Sequence, residues 1–325
     1  MTQNWQTQLA SAFSNFDELC HYLQLTPSEL RLSQDARTQF PLRVPLAFAS
    51  RMEKGNPADP LLRQILPISD ELQIYPDFSD DPVGDLPSLK QTGLLHKYHG
   101  RVLLINTGAC AIHCRYCFRR NFPYADLQLT KQQENDVIEA IRNDTSIEEV
   151  ILSGGDPMIL NDARLTSLIN ALATIEKLKR IRIHTRLPIV LPARITDDLL
   201  TLFKSCSKKI IVVIHCNHAN EIDDDVANAC ARLRSAGVVL LNQSVLLRDV
   251  NDNATALCEL SEKLFDIDVL PYYLHFLDKA NGTGHFQVSK TDALALFEAM
   301  QNQLPGYLVP KLVTEQAGAL AKQNL

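Results

Sequence analysis

No stretch of this 325-residue chain reaches the roughly 18 consecutive apolar residues that a membrane-spanning helix needs. Its opening, Met-Thr-Gln-Asn-Trp-Gln, lacks the basic and then apolar order of a secretory leader. Together these absences predict a cytoplasmic protein without a membrane partner, in a compartment where thiols stay reduced. Basic residues are not in excess: 32 Lys and Arg stand against 38 Asp and Glu, for a net charge of −6. That balance argues against a general grip on nucleic acid and against a polybasic membrane face. The sequence has no internal repeat and no low-complexity tract. Five of the eight cysteines, Cys20, Cys206, Cys216, Cys230 and Cys258, lie scattered and read as small buried hydrophobes, not as a disulfide framework.

The other three cysteines are clustered in the run Cys110-Ala-Ile-His-Cys114-Arg-Tyr-Cys117. Here too an absence is informative, because the C-x3-C-x2-C spacing supplies three thiolates and not four. A structural zinc or an ordinary electron-transfer cluster takes four protein ligands. Three thiolates on one loop can hold an iron–sulfur cubane and leave one iron open to a small molecule. The alternative is a zinc knuckle with its fourth ligand elsewhere.

Residues 1–95 and 96–325 differ in texture. The first part carries helical stretches, Phe16–Leu23 and residues 28–31, punctuated by prolines from Pro41 to Pro87 that exclude long helices. Residues 77–87 read as an acidic loop. From residue 101 strands and helices alternate. The strands are expected at 102–106, 150–152, 180–185, 210–214, 238–241 and 269–274, and a further extended stretch at 307–314. Thr130 and Gln133 form a capping-box pattern at one helix start, and Gly237 is placed to end another. Six strand–helix units in order predict an α/β fold, a parallel barrel or partial barrel, with a doubly wound open sheet as the alternative.

In such folds ligands sit at the carboxyl ends of the strands. There the sequence places the cysteine loop, then Ser153-Gly154-Gly155-Asp156, His184-Thr185-Arg186, His215, Gln243 and Asp278. Gly154 and Gly155 allow close backbone approach to a ligand, and Asp156 could receive an ammonium, although Gly-Gly-Asp-Pro is also plain turn chemistry. Arg119 could clamp a carboxylate, unless Arg119 and Arg120 are a solvated pair. Lys97, Tyr98 and Arg101 could bind a phosphate or simply face solvent. Asp278 and Glu315 could share an ammonium or be surface acids. By itself Lys322 would read as a frayed terminal residue.

Taken together, the motifs resemble the radical S-adenosylmethionine (SAM) lysine 2,3-aminomutase family. The resemblance runs from about Leu94 to Lys322. It rests on Lys97-Tyr98-x-x-Arg101-Val-Leu-Leu, the cysteine loop with Tyr116 and Arg119-Arg120, Leu-Ser-Gly-Gly-Asp-Pro, His215-x-x-His218-x-Asn-Glu221, Asn242-Gln243-Ser-Val-Leu-Leu-Arg-x-Val-Asn-Asp252, Pro271-Tyr-Tyr-x-x-x-x-Asp278 and Lys322. It implies a partial (β/α)6 barrel with an N-terminal mainly helical extension and a C-terminal segment bearing a pyridoxal 5′-phosphate (PLP) lysine. It also implies three cofactors: a [4Fe-4S] cluster on Cys110, Cys114 and Cys117, SAM at Ser153–Asp156, His215 and Gln243, and PLP on Lys322 with Lys97, Tyr98 and Arg101. L-Lysine is the implied substrate, its carboxylate on Arg119 and its far amine on Asp278 and Glu315. The chain departs from the clostridial type in having Glu at 315 in place of Asp, Lys at 97 where Arg is frequent, and no run of glycines before Lys322. Its compact end and its Leu308-Val-Pro-Lys311-Leu segment look more like the bacterial branch tied to elongation factor P, in which a partner ligase attaches (R)-β-lysine to the factor. That branch implies an electron donor such as flavodoxin and allows a homo-oligomer. A radical SAM enzyme without PLP and a zinc- or cluster-binding interaction module are the other readings of the same residues.

Overall fold

The computed structural model describes residues 4–124 and 129–325. The first three residues, part of the stretch that reads as carrying no leader, lie outside the described residues. Ten strands form one sheet in strict chain order: β1 (Leu89–Gln91), β2 (Leu94–Tyr98), β3 (Arg101–Thr107), β4 (Glu149–Gly154), β5 (Arg180–Thr185), β6 (Lys209–His215), β7 (Val239–Val245), β8 (Leu270–His275), β9 (Lys311–Thr314) and β10 (Gln323–Asn324). β3 to β9 are parallel throughout, and antiparallel β1–β2 and β10 finish the two edges. Among the described residues β1 and β10 are not paired, so the sheet stays open, in an order consistent with a partial barrel.

Helices Lys131–Asn143, Asp162–Ala173, Asp197–Ser205, Asp224–Ser235, Ala254–Asp266 and Lys290–Gln303 follow β3 to β8 in turn. The expected capping box at Thr130 forms, its hydroxyl accepting from the Gln133 N–H and the Gln133 side chain accepting from the Thr130 N–H. Gly237 takes φ of +80° after the helix Asp224–Ser235, a backbone angle that β-carbons resist. Tyr307 falls instead in a single 3-10 turn, Gly306–Leu308, and only Lys311–Thr314 is strand. Residues 28–31 likewise make one 3-10 turn, Pro27–Glu29, because the proline at its start leaves too little chain for an α-helix before Leu30 turns extended.

Side chains alternate across each strand. Val150, Leu152, Ile181, Ile183, Val212, Ile214 and Leu240 point outward to the helices and are buried against Leu165, Leu168, Ile169, Leu199, Phe203, Val226 and Leu233. The opposite face carries Glu149, Ser153, Arg182, His184, His215, Gln243, Tyr273 and His275, all of which line one cavity of about 640 Å3. Residues from every strand from β2 to β8, and Glu315 just beyond β9, reach this cavity. A flat sheet cannot direct so many strands at one volume, so the sheet curls around it.

Residues 4–88 wrap behind the cysteine loop. Trp5, Leu19, Leu23, Phe48, Leu61, Leu62 and Ile65 join the same apolar core as the barrel helices. No helix of the described residues is long and apolar enough to cross a membrane. The strongest polar link between this extension and the barrel is Glu71. Its carboxylate takes two hydrogen bonds from Arg115 and one from Arg120, and Arg115 also donates to the carbonyls of Phe40 and Ala36. Arg115 and Glu71 side chains are both fully buried, at 0% exposure. Removing one partner of such a group leaves a buried charge uncompensated, at a cost of about 3–5 kcal/mol. Glu71→Gln should therefore lower the unfolding free energy of the cluster-free protein by roughly that amount. The effect should be read as an earlier urea midpoint at unchanged slope, and a midpoint equal to wild type would contradict it.

Candidate active site

The cysteine loop leaves β3 at Thr107. The end of β4 lies directly against it: Gly155 N–H donates to the Thr107 carbonyl and Asp156 N–H to the Ala109 carbonyl, both at 2.8 Å. A β-carbon on Gly155 would stand 2.3 Å from the Ala109 oxygen, and one on Gly154 2.8 Å from the Thr107 oxygen. The two glycines thus let strand and cysteine loop pack backbone to backbone. The close approach expected of them is made first to the protein's own chain. Asp156 is similarly committed. Its carboxylate accepts from Thr185 Oγ1 at 2.7 Å and from the N–H groups of Arg186 and Met158, so it ties the ends of β4 and β5 together.

Between the cysteines, His113 and Arg115 are clamped by the extension. His113 N–H donates to the Arg43 carbonyl, its ring Nδ1 bonds the Pro41 carbonyl, and Arg115 N–H donates to the Gln64 carbonyl. Burial, reinforced by the neighbouring thiols, pushes Cys110 well up and Cys117 to about 11. Among the described residues, no three His, Cys, Asp or Glu side chains gather as ligands of a single ion. Cys114 Sγ accepts a hydrogen bond from Arg186 Nη1 at 2.8 Å. Arg186 was visible in sequence only as a strand-end residue with no assigned role.

His215 and Gln243 stand side by side in register on β6 and β7. Burial pushes His215 down to about 3, helped by the Arg186 charge, so its ring is neutral near pH 7. The ring stacks on Tyr116, whose hydroxyl meets Nε2 at 3.1 Å. His184 Nε2 and Arg182 Nε, on residues lining the same cavity, are buried with no partner. Buried polar atoms of this kind imply a ligand or water in the space they face.

Opposite the cysteines runs an unbroken chain of alternating charges. Arg119 Nε donates to Asp85 at 2.7 Å, Lys97 pairs with Asp85 at 2.5 Å and with Glu315 at 3.0 Å, and Glu315 pairs with Lys322 at 2.5 Å. Burial works to raise the Glu315 carboxyl, but Lys322 and Lys97 outweigh it and hold it at about 2. Asp278 makes no such pair among the described residues and lines the cavity. Burial pushes it up to about 7, with Lys322 opposing and Glu315 reinforcing the shift. Tyr98 is driven up by burial and the Glu315 charge, and Arg101 lies over its ring at 4.7 Å. Asp85 was read only as part of an acidic loop, yet it is 2% exposed and bonded to two cavity cations.

The structure therefore brings all sixteen sequence-selected residues to one cavity: Cys110, Cys114, Cys117, Ser153, Gly154, Gly155, Asp156, His215, Gln243, Lys97, Tyr98, Arg101, Arg119, Asp278, Glu315 and Lys322. Arg119 also reaches Ser153 Oγ at 3.2 Å, and the pair of arginines divides in two. Arg119 faces the cavity, while Arg120 is spent on Glu71 and on the carbonyls of Arg115 and Gly282, so neither is a solvated surface cation.

These features have parallels in known proteins. Residues 104–260 match the Radical SAM superfamily model. The chain is 49% identical to an Escherichia coli (strain K12) L-lysine 2,3-aminomutase over 99% of its own length and 94% of the relative's. It is 45% identical to the Haemophilus influenzae protein of the same name, over 97% and 94%. To the Clostridium subterminale L-lysine 2,3-aminomutase it is 33% identical, over 98% of this chain and 77% of that one. The match is continuous from the extension through Lys322, and the chain belongs to the L-lysine 2,3-aminomutase family of radical SAM proteins.

Proposed function

We propose that this protein is a PLP-dependent L-lysine 2,3-aminomutase, an isomerase that moves the α-amino group of L-lysine from C2 to C3 and gives β-lysine, as the R isomer. The observation that carries the reading is the charge layout of a single cavity. One cavity is lined by a buried arginine suited to an α-carboxylate, two acids suited to a side-chain ammonium, a lysine amine and a three-thiol loop. The names of the relatives agree with that layout.

The residues fit the groups this chemistry needs. Cys110, Cys114 and Cys117 would hold a [4Fe-4S] cluster, and the strand ends at Ser153–Asp156, His215 and Gln243 would surround SAM. Tyr98 and Arg101, with Lys97 once it is released from Asp85 and Glu315, would hold the phosphate of PLP near Lys322. When bound, these cofactors supply hydrogen abstraction from an unactivated carbon and a carrier for the migrating nitrogen. The protein's own work is placement. Arg119, fixed at Nε by Asp85, turns its remaining N–H groups to the cavity and orients the substrate carboxylate. Glu315 already holds one alkylammonium, that of Lys322. With Asp278 as a second anion, it would receive the ε-ammonium of lysine in the same way. The buried, neutral His215 and Tyr116 close the cavity on the cluster side and keep water from the reacting carbon.

The higher identity to the E. coli and H. influenzae proteins than to the clostridial one supports the branch in which a partner ligase transfers the product to elongation factor P. In that reading the enzyme is cytoplasmic, draws electrons from a donor such as flavodoxin, and can form a homo-oligomer.

Anaerobic incubation with L-lysine, SAM, PLP and dithionite, followed by chromatography, should yield β-lysine, and unchanged lysine together with intact SAM would overturn the proposal. Lys322→Ala should lose both turnover and the visible absorbance of bound pyridoxal while retaining iron. Because Asp278 must be ionised to bind an ammonium, kcat/KM for lysine should climb as pH rises through about 7. Asp278→Asn should flatten that limb and cost about 1.5–3 kcal/mol, on the order of ten- to a hundred-fold in kcat/KM, with the cluster spectrum unchanged. An Asp278→Asn enzyme with a wild-type pH profile would remove Asp278 from substrate binding.

A further inference from the structure

The Arg186 side chain is held on every side but one. Nη2 donates to Gln64 Oε1 at 2.7 Å and to Glu221 Oε2 at 2.9 Å. Gln64 Nε2 returns a bond to Glu221 Oε1, which also accepts the N–H groups of Asn217 and His218. The guanidinium lies 5.1 Å from the Phe48 ring centre and 5.6 Å from that of Tyr116. Its backbone N–H is fixed by Asp156. With plane and edge so constrained, Nη1 is aimed at Cys114 Sγ, 2.8 Å away, and Nε is buried without a partner. The residue is 6% exposed.

A neutral thiol is a weak acceptor, whereas a metal-bound thiolate is a strong one. Spending a fully braced guanidinium on sulfur makes physical sense when that sulfur carries negative charge. Hydrogen bonds to ligand sulfurs and nearby net charge are among the factors that set an iron–sulfur potential. A fixed cation at bonding distance favours the reduced, more negative state over the oxidised one.

We propose that Arg186 is a positioning residue for the cluster, donating to the Cys114 sulfur and raising the cluster's reduction potential, with Gln64 of the N-terminal extension and Glu221 holding the guanidinium in place. This rests on the reading that the three cysteines carry a [4Fe-4S] cluster. Its effect is to make the electron needed for SAM cleavage easier to accept, through a residue that makes no contact with the reacting carbon.

The test is an EPR-monitored redox titration of the anaerobically reconstituted full-length protein, without SAM or lysine, with iron and sulfide measured on each sample. Arg186→Gln should keep its cluster and show a one-electron reduction constant about tenfold lower, a midpoint ~59 mV more negative. Arg186→Lys, which keeps the charge but not the fork, should fall between the two. Gln64→Met, which frees the guanidinium and leaves the cysteines and Arg186 intact, should shift the midpoint in the same direction even if Arg186→Gln fails to retain iron. Full clusters at the wild-type potential in Arg186→Gln and Gln64→Met would overturn the proposal. Wild-type protein that takes up zinc and no iron would overturn it together with the cluster reading, and the metal analysis separates the two failures.

Discussion

Glu71 is the residue on which the geometry of the site depends. Its buried carboxylate is shared by Arg115, which lies between the second and third cysteines, and Arg120, just beyond the third. The loop carrying the thiols has no regular structure of its own, so its shape must be imposed from outside. The extension imposes it through this carboxylate and through carbonyls of Ala36, Phe40, Pro41, Arg43 and Gln64. The cost of burying these charges is offset because almost every lone pair and N–H in the group finds a partner, the condition under which buried ion pairs are tolerated. The front of the loop is set by Gly155 and Asp156 of β4. The cysteines are thus held between two surfaces of the protein.

The same economy governs the rest of the cavity. Strand alternation sends aliphatic side chains out to the helices and leaves the inner face free for Arg, His, Glu and Tyr. A polar barrel interior cannot be left unsatisfied. Here it is neutralised internally, by Glu149 against Arg180 and Arg182 near the strand starts and by the Arg119–Asp85–Lys97–Glu315–Lys322 chain near the strand ends. Such a chain is well suited to ligand exchange. Each charge in it is already solvated by an opposite one, and a substrate carrying both a carboxylate and an ammonium can replace one contact at each end without exposing a bare charge. Asp278 lies outside the chain and is raised by burial, with no ion pair among the described residues.

Much of this was legible in the sequence, for identifiable reasons. The parallel strands and their helices follow from periodicity and capping, and the strand expected at 180–185 falls at those bounds, Arg180–Thr185. The thiols announce themselves by spacing and Asp278 by its position at a strand end, whereas Arg119 and Lys322 took their roles from the family resemblance. What stayed hidden is the supporting layer. Glu71, Gln64 and Asp85 lie in a proline-broken segment with no period to read, and their partners Arg115, Arg186 and Arg119 are 44, 122 and 34 residues away. Nothing local distinguishes a buried acid bonded to a distant arginine from an acid in a solvated loop. The two glycines of Ser153–Asp156 show the converse. Their need for close backbone approach was legible, but not that the nearest backbone belongs to the cysteine loop.

The central claim is that the protein shapes the cysteine loop before the cofactors bind. Amide hydrogen exchange on the cluster-free protein tests it most directly, at the Arg115 N–H bonded to Gln64 and the Asp156 N–H bonded to Ala109. The account predicts that both exchange as slowly as the neighbouring core strands. Exchange at the rate of an open loop, with protection appearing only after reconstitution with iron and sulfide, would contradict it.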